Sequence, residues 1–234
     1  MSFPRGVVVT GGTGALGRAV VLGLLERGAR VAVPYRSNAE WDELRRAAGA
    51  NEALLGTRAD VADPQAAQSF VDEASRWLGR LDGLAAVAGA YAGSGTLEAS
   101  PVEEWEGMLH TNLGTVFAVC RAALPHLLKQ GGSVVTVGAR LANVGGAGAA
   151  AYAVSKAGVE ALTRVLALEN RDRGVRFNCV APGTIDTPAN RRAMPQADAS
   201  RWTSPAAIAR VILFLLSAES APTTGAMVPV DAPA

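Results

Sequence analysis

The sequence predicts one doubly wound α/β domain over residues 1–234, a mostly parallel, seven-stranded sheet with helices on both faces. Three observations carry that expectation. Short β-branched runs alternate with amphipathic segments along the chain, the pattern of a sheet assembled from βαβ units. A glycine-rich turn, GGTGALG, joins the first such run to the first helical segment. The 234 residues, 49% hydrophobic and 18% charged, suffice for one core, and no internal repeat or low-complexity linker divides it.

Residues 6–10, GVVVT, read as a buried strand, because parallel strands covered on both faces lack polar alternation. GGTGALG follows, then the helical RAVVLGLLERG, which Gly28 ends. Gly11, Ala15 and Gly17 hold the spacing G-x-x-x-[GA]-x-G, where missing side chains let the backbone turn tightly and approach a pyrophosphate at the positive end of a helix. Thr13 and Leu16 lie in the same loop and count with it as cofactor-binding candidates. Any tight turn favours glycine, so it is the strand-then-helix context that points to a nucleotide. RVAVPYRS, 30–37, is the second strand. An acid after it would bond a ribose diol and repel a 2′-phosphate. Tyr35-Arg36-Ser37 offers a guanidinium and a hydroxyl instead, suited to phosphate, although a solvated surface arginine has the same appearance.

A short helix over 40–48 leads to a strand at 53–58 and to Asp60-Val61, where Asp60 either reaches an adenine amino group or is an ordinary loop carboxylate. Asp63-Pro64 opens the next helix as its cap and first residue. Residues 83–88 form the fourth strand, and the small residues from Ala88 and Gly89 onward can pass beneath a flat ligand. From 103 to 129 a long helical segment carries Trp105, Leu109, Leu113, Phe117, Leu124 and Leu128 on a recurring face. Asn112 lies inside it, either as a solvated side chain or as a residue that loosens the helix to hold a water. His110 and His126 read as structural or surface residues.

GGSVVTVGA, 131–139, is the fifth strand, followed by a helix within 147–174 that closes at Gly174. The sixth strand, 175–181, runs into Pro182-Gly183-Thr184-Ile185-Asp186-Thr187, a turn at a strand's C-terminal end, where open α/β sheets bind ligands. Residues 188–203 contain two prolines and no convincing strand or long helix, and read as a lid. A helix over 205–217 and a strand over 226–231 complete the sheet.

The formal charge is +1 and the basic residues are scattered, which argues against nucleic acid or an anionic membrane as partners. Cys120 and Cys179 sit in apolar contexts typical of buried thiols, and the composition offers no metal-ligand cluster. The start carries no apolar signal segment, and VILFLL, 211–216, is too short to span a bilayer. The expected location is cytoplasmic.

Tyr152 stands four residues before Lys156, one helical turn away on the same face. Three tyrosines and two lysines in 234 residues produce such a pair by chance in about 3 of 100 shuffles. A phenol titrates near ~10, and a neighbouring ammonium favours its anion, so the pair has the makings of a general acid/base.

Together these motifs resemble the short-chain dehydrogenase/reductase family over nearly the whole chain: Thr10 to Gly17 as TG-x-x-x-[GA]-x-G, Asp60-Val61, Asn112, Tyr152-x-x-x-Lys156, and Pro182 to Thr187 as PG-x-x-x-T. The resemblance implies a Rossmann-type fold, a nicotinamide cofactor and hydride transfer to a small-molecule substrate. By it Tyr152 is the proton donor, and Lys156 lowers its pKa and binds the nicotinamide ribose. Asn112 holds a relay water, Thr187 with Ile185 touches the nicotinamide amide, and Ala88, Gly89, Pro182 and Gly183 border the cofactor. Arg36 and Ser37 make NADP(H) the preferred cofactor, with NAD(H) the alternative. The helices at 103–129 and 149–172 resemble the family's oligomer faces, which implies a homodimer or homotetramer.

Two departures matter. The family's fourth-strand NNAG reads Ala86-Val87-Ala88-Gly89, and the serine thirteen residues before the tyrosine is Ala139. Both, with TIDTPANRRAMPQADASRW, are similar to the dihydropteridine reductase subgroup, which reduces a quinonoid dihydropterin without that serine. That subgroup uses NADH with an acid after the second strand, unlike Arg36. The reading is therefore a reductase of a conjugated C=N or C=O acceptor. The alternatives are a general carbonyl/alcohol oxidoreductase of the same family and a nucleotide-binding protein without turnover.

Overall fold

The β-branched runs form strands and the amphipathic runs form helices in the expected order. In the computed structural model, which describes residues 3–231, seven strands make one sheet: β1 (Gly6–Thr10), β2 (Arg30–Tyr35), β3 (Leu54–Arg58), β4 (Gly83–Ala86), β5 (Gly132–Val137), β6 (Val175–Pro182) and β7 (Met227–Val230). Their order is 3-2-1-4-5-6-7, and every pairing is parallel. The chain builds outward from β1 to β3, then returns to build β4 to β7 on the other side. The reversal parts the connections that leave β1 and β4, and the crevice lies there, at the C-terminal strand ends.

Two cores flank the sheet. Against one face pack α3 (Pro64–Leu78), α5 (Thr115–Leu127) and α7 (Ala150–Asn170), burying Val8, Phe70, Leu84, Leu127 and Phe177. Against the other pack α1 (Ala15–Leu25), α2 (Asn38–Ala47) and α9 (Pro205–Leu216), burying Val9, Leu24, Leu44 and Ile212. Helix starts follow the sequence signals: Asp63 accepts from the Ala66 amide at 2.7 Å and Ser204 from the Ala207 amide at 3.2 Å, each ahead of a proline.

The segment 103–129 is not one helix. It runs as α4 (Val102–Met108), a π-helical stretch Leu109–Gly114, then α5. Asn112, fully buried, sits in the wide turn. Its amide is pulled sideways by partners outside the helix, which is how it loosens the winding, and a buried role replaces the solvated alternative. The recurring apolar face is only partly covered: Trp105 and Phe117 remain exposed, the latter at 50%, whereas α5 buries Val116, Val119, Cys120, Ala123 and Leu127. The helix expected within 147–174 starts later, at Ala150, and a 3₁₀ turn Arg171–Arg173 carries it to Gly174, whose φ of +75° lies in the left-handed region that favours glycine. A short α6 (Arg140–Val144) was not legible in the sequence. The lid region holds α8 (Pro188–Ala193) and a 3₁₀ turn Ala199–Arg201.

Among the described residues no helix is long and apolar enough to cross a membrane, and no group of three or more His, Cys, Asp or Glu side chains could hold a metal ion. Cys120 and Cys179 are buried, free thiols, pushed up to about 12 and about 11 by burial.

Candidate active site

The turns leaving the first six strands, β1 to β6, enclose a cleft of about 1210 Å³. At its floor the glycine loop is sterically fixed. A Cβ on Gly11, whose φ is +66°, would lie 2.8 Å from the backbone of Ala88, and one on Gly17 would lie 2.0 Å from the Gly11 carbonyl. The helix that follows, α1, has no side-chain cap and no acidic residue in its first turn. Its first amides and positive dipole end therefore stand beside the cleft, the arrangement that holds a diphosphate.

Tyr35, Arg36, Asp60 and Val61 line one end. The Tyr35 ring stacks on Trp41, centroids 5.1 Å apart and planes 5° from parallel. Arg36 is 75% exposed and leans toward Asp60 at 3.7 Å, while Asp60 accepts from the Ala62 amide at 3.1 Å. Arg36 is thus loosely held and free to meet an anion. Ser37 is not among the residues lining the cleft; its hydroxyl is the N-cap of α2, accepting from the Glu40 amide, a bond that leaves its own proton able to donate.

In the middle, α7 presents Tyr152 and Lys156 one turn apart, and both line the cleft. Lys156 is 5% exposed and donates to the Val137 carbonyl at 2.9 Å. Burial lowers its pKa to about 8, with a smaller opposing contribution from Cys179. Tyr152 packs edge-on against Tyr91, centroids 4.9 Å apart, and burial, then Tyr91, push it up to about 12. The expectation that Lys156 depresses the phenol is therefore not met here. The ammonium turns to the end of β5, and desolvation decides the sign for both groups.

Asn112 does not line the cleft but builds its wall. Its Oδ1 accepts from the Ala90 amide at 2.9 Å, and its Nδ2 donates to the Ala90 carbonyl at 3.1 Å and to Ser155 Oγ at 3.0 Å. These bonds clamp the loop after β4 to the tyrosine helix. A Cβ on Gly89 would come within 2.7 Å of Asn112 Oδ1 and 3.0 Å of Lys156 Nζ, so a side chain here would have to displace the ends of two site residues. Ala88, Gly89, Pro182, Gly183, Ile185 and Thr187 border the same space. Thr187 caps α8, and Asn190 Nδ2 bonds the Ile185 carbonyl at 2.8 Å. A bridge between Ile185 and Thr203 ties the far end of the lid back to this turn.

Ala139 is 4% exposed, in extended backbone at the start of α6, with no side-chain cap there. Asn143 Nδ2 reaches back to the Ala139 carbonyl at 3.4 Å and to the buried Glu160 carboxylate at 2.9 Å, which explains the unexpected α6: the tyrosine helix anchors it. The cleft also receives Glu40, Tyr91, His110, Arg140, Trp202 and Asp231, none of them singled out as site residues in the sequence. Arg140 pairs with Asp231 across the outer end. His126, by contrast, is structural, bonded to Asp72 at 2.8 Å.

A buried ammonium is a cost to folding, and its sign with pH follows from the lowered pKa. The folded protein gives up the Lys156 proton near pH 8, the unfolded chain only near ~10.5, so the penalty is complete below about pH 8 and fades up to about pH 10.5. Lys156→Met is expected to stabilise the fold by about 1–3 kcal/mol at pH 6.5 and by less at pH 10. Thermal unfolding at the two pH values checks this; a destabilised or pH-independent difference contradicts it.

Comparisons with known proteins find relatives over nearly the whole chain. A family model described as enoyl-(acyl carrier protein) reductase matches residues 12–232. The chain is 34% identical over 232 residues to carbonyl reductase family member 4 of Danio rerio, covering 97% of this chain and 96% of that one. It is 32% identical over 234 residues to a 3-oxoacyl-(acyl-carrier-protein) reductase of Thermotoga maritima, covering 96% and 95%. Among solved structures, a short-chain type dehydrogenase/reductase from Mycobacterium ulcerans superposes with a TM-score of 0.93 at 26% identity, over 99% of this chain and 90% of that one.

Proposed function

The chain belongs to the short-chain dehydrogenase/reductase family, an NAD(P)-dependent oxidoreductase, and within it we propose a reductase of conjugated C=O or C=N acceptors, with quinones and quinonoid dihydropterins as the acceptor class. The observation that carries this reading is Ala139: the wall that in the family holds a hydroxyl holds a buried methyl group. A conjugated acceptor spreads incoming charge over its own ring system and needs little beyond a proton, whereas an isolated ketone develops an alkoxide that wants a second donor.

The nicotinamide, when bound, supplies the hydride. The glycine loop and the first amides of α1 hold the diphosphate, Asp60 and Val61 border the adenine, and Lys156 binds the nicotinamide ribose. Ile185 and Thr187 meet the carboxamide. Tyr152, protonated throughout the neutral range, donates its phenolic proton to the reduced atom. Asn112, read as the residue that holds a relay water, has its amide committed to Ala90 and Ser155, which fixes the loop after β4 against the tyrosine helix. Following NADPH and NADH oxidation with quinonoid dihydropterin, quinones and simple ketones tests the assignment, and a clear preference for simple ketones argues against it.

A general carbonyl reductase is the second reading, favoured by the carbonyl reductase named above. The exposed apolar residues Phe117 on α5 and Leu168 on α7, the latter 69% exposed, support a homodimer or homotetramer built on these helices, and the protein is read as cytoplasmic.

NADPH is the preferred cofactor in this reading, because Arg36 is exposed at the cleft and no acid follows β2. Arg36→Asp should weaken NADPH more than NADH, by about 1.5–3 kcal/mol for a lost charge-assisted phosphate contact. Equal Michaelis constants for the two cofactors, unmoved by the substitution, would exclude it.

A further inference from the structure

Glu40 is the third residue after the Ser37 cap of α2, the spacing S-x-x-E in which the carboxylate ordinarily folds back to close a capping box. It does something else. Its Oε2 accepts from Thr13 Oγ1 at 3.1 Å, across 27 residues of chain, and both side chains line the cleft. A carboxylate thus rests on the loop whose shape and dipole are arranged for anions.

The basic groups nearby do not neutralise it. Arg18 donates to the Thr13 carbonyl at 3.3 Å and to Glu43 at 2.9 Å, and Arg36 leans toward Asp60. Among the described residues Glu40 has no ion pair. The end of the cleft that holds the exposed Arg36 guanidinium, suited to a 2′-phosphate, therefore also holds a carboxylate with no ion pair among the described residues.

We propose that Glu40 sets the cofactor selectivity of this protein, opposing a 2′-phosphate while accepting from Thr13 and from the free ribose hydroxyls of the non-phosphorylated dinucleotide. The acid absent after β2 is supplied from the first turn of α2 instead. Arg36 and Glu40 then pull in opposite directions, and the NADPH preference is moderate. This inference rests on the reading that the cleft binds a nicotinamide dinucleotide.

The test is direct binding, with no turnover required: dissociation constants of NADPH and NADH by fluorescence titration for the full chain, Glu40→Gln and Glu43→Gln. Glu40→Gln keeps an oxygen able to accept from Thr13 and removes only the charge. It should tighten NADPH on the order of 10-fold, the effect of one like charge a few ångströms away in a partly solvated site, and leave NADH unchanged or a few-fold weaker. The gain should shrink as salt is raised, because the charges are partly exposed. Glu43→Gln, on the same helix but outside the cleft, should leave the ratio unchanged. Parallel shifts for both cofactors would reduce Glu40 to a prop for Thr13, and an equal response from Glu43→Gln would reduce the effect to the general field of α2; either overturns the proposal. Failure of the unmodified protein to bind either dinucleotide would overturn the cleft assignment along with it, whereas tight binding with selectivity indifferent to position 40 would overturn this inference alone.

Discussion

Tyr152→Phe should lower turnover on the order of 10²–10⁴-fold, the usual contribution of a positioned general acid, while leaving cofactor binding nearly unchanged. The substitution removes one oxygen and keeps the ring, so the edge-on contact with Tyr91 and the packing of α7 against the sheet survive. Lys156→Ala should damage both turnover and binding, since the ammonium is buried at the cleft wall and is read as a ribose ligand. The two variants therefore separate proton delivery from cofactor positioning. With the phenol pushed up to about 12, the donor form prevails at neutral pH, and reduction should proceed there without a titration step belonging to Tyr152. A phenylalanine variant with undiminished turnover would transfer the role to another group, with Tyr91 the first to examine because it touches the same ring.

What the sequence made legible was what local geometry determines. The i, i+4 relation of Tyr152 and Lys156 needs only a helix, and the glycine spacing after β1 needs only a strand, a turn and a helix, so both were readable without tertiary information. Asn112 was readable as an anomaly, an amide in a helix interior, and the π turn gives that anomaly its form. Glu40 was hidden because its signal, a capping-box acid, has an ordinary explanation that only its long-range bond to Thr13 displaces. Ser37 carries two signals at once: a hydroxyl beside Arg36 suits a phosphate, and the same hydroxyl caps α2. The direction of the Tyr152 shift was also out of reach. It depends on where Lys156 Nζ points, and the Val137 carbonyl that receives it belongs to a strand whose position relative to α7 no spacing rule supplies.

Ala139→Ser should raise reduction of isolated ketones on the order of 10²-fold and leave quinone or quinonoid dihydropterin reduction within a few-fold of its starting value. The backbone is ready for the change. Position 139 is already the uncapped N-cap of α6, in the extended conformation that cap residues adopt. A serine oxygen there can accept from the α6 amides and still direct its proton toward the cleft. The cap should also hold or slightly raise stability, so a change in activity would not reflect loss of fold. A ketone becomes an alkoxide on receiving hydride, and a second donor lowers that barrier. A conjugated acceptor delocalises the same charge and gains little, which is the physical content of a methyl group at this wall. The pair of measurements thus distinguishes the two enzyme readings of the site. Brisk ketone reduction by the unmodified protein, with no response to the added hydroxyl, would mean that another cleft side chain such as Tyr91 or His110 already serves as the second donor, and the conjugated-acceptor reading would give way to the general carbonyl reductase.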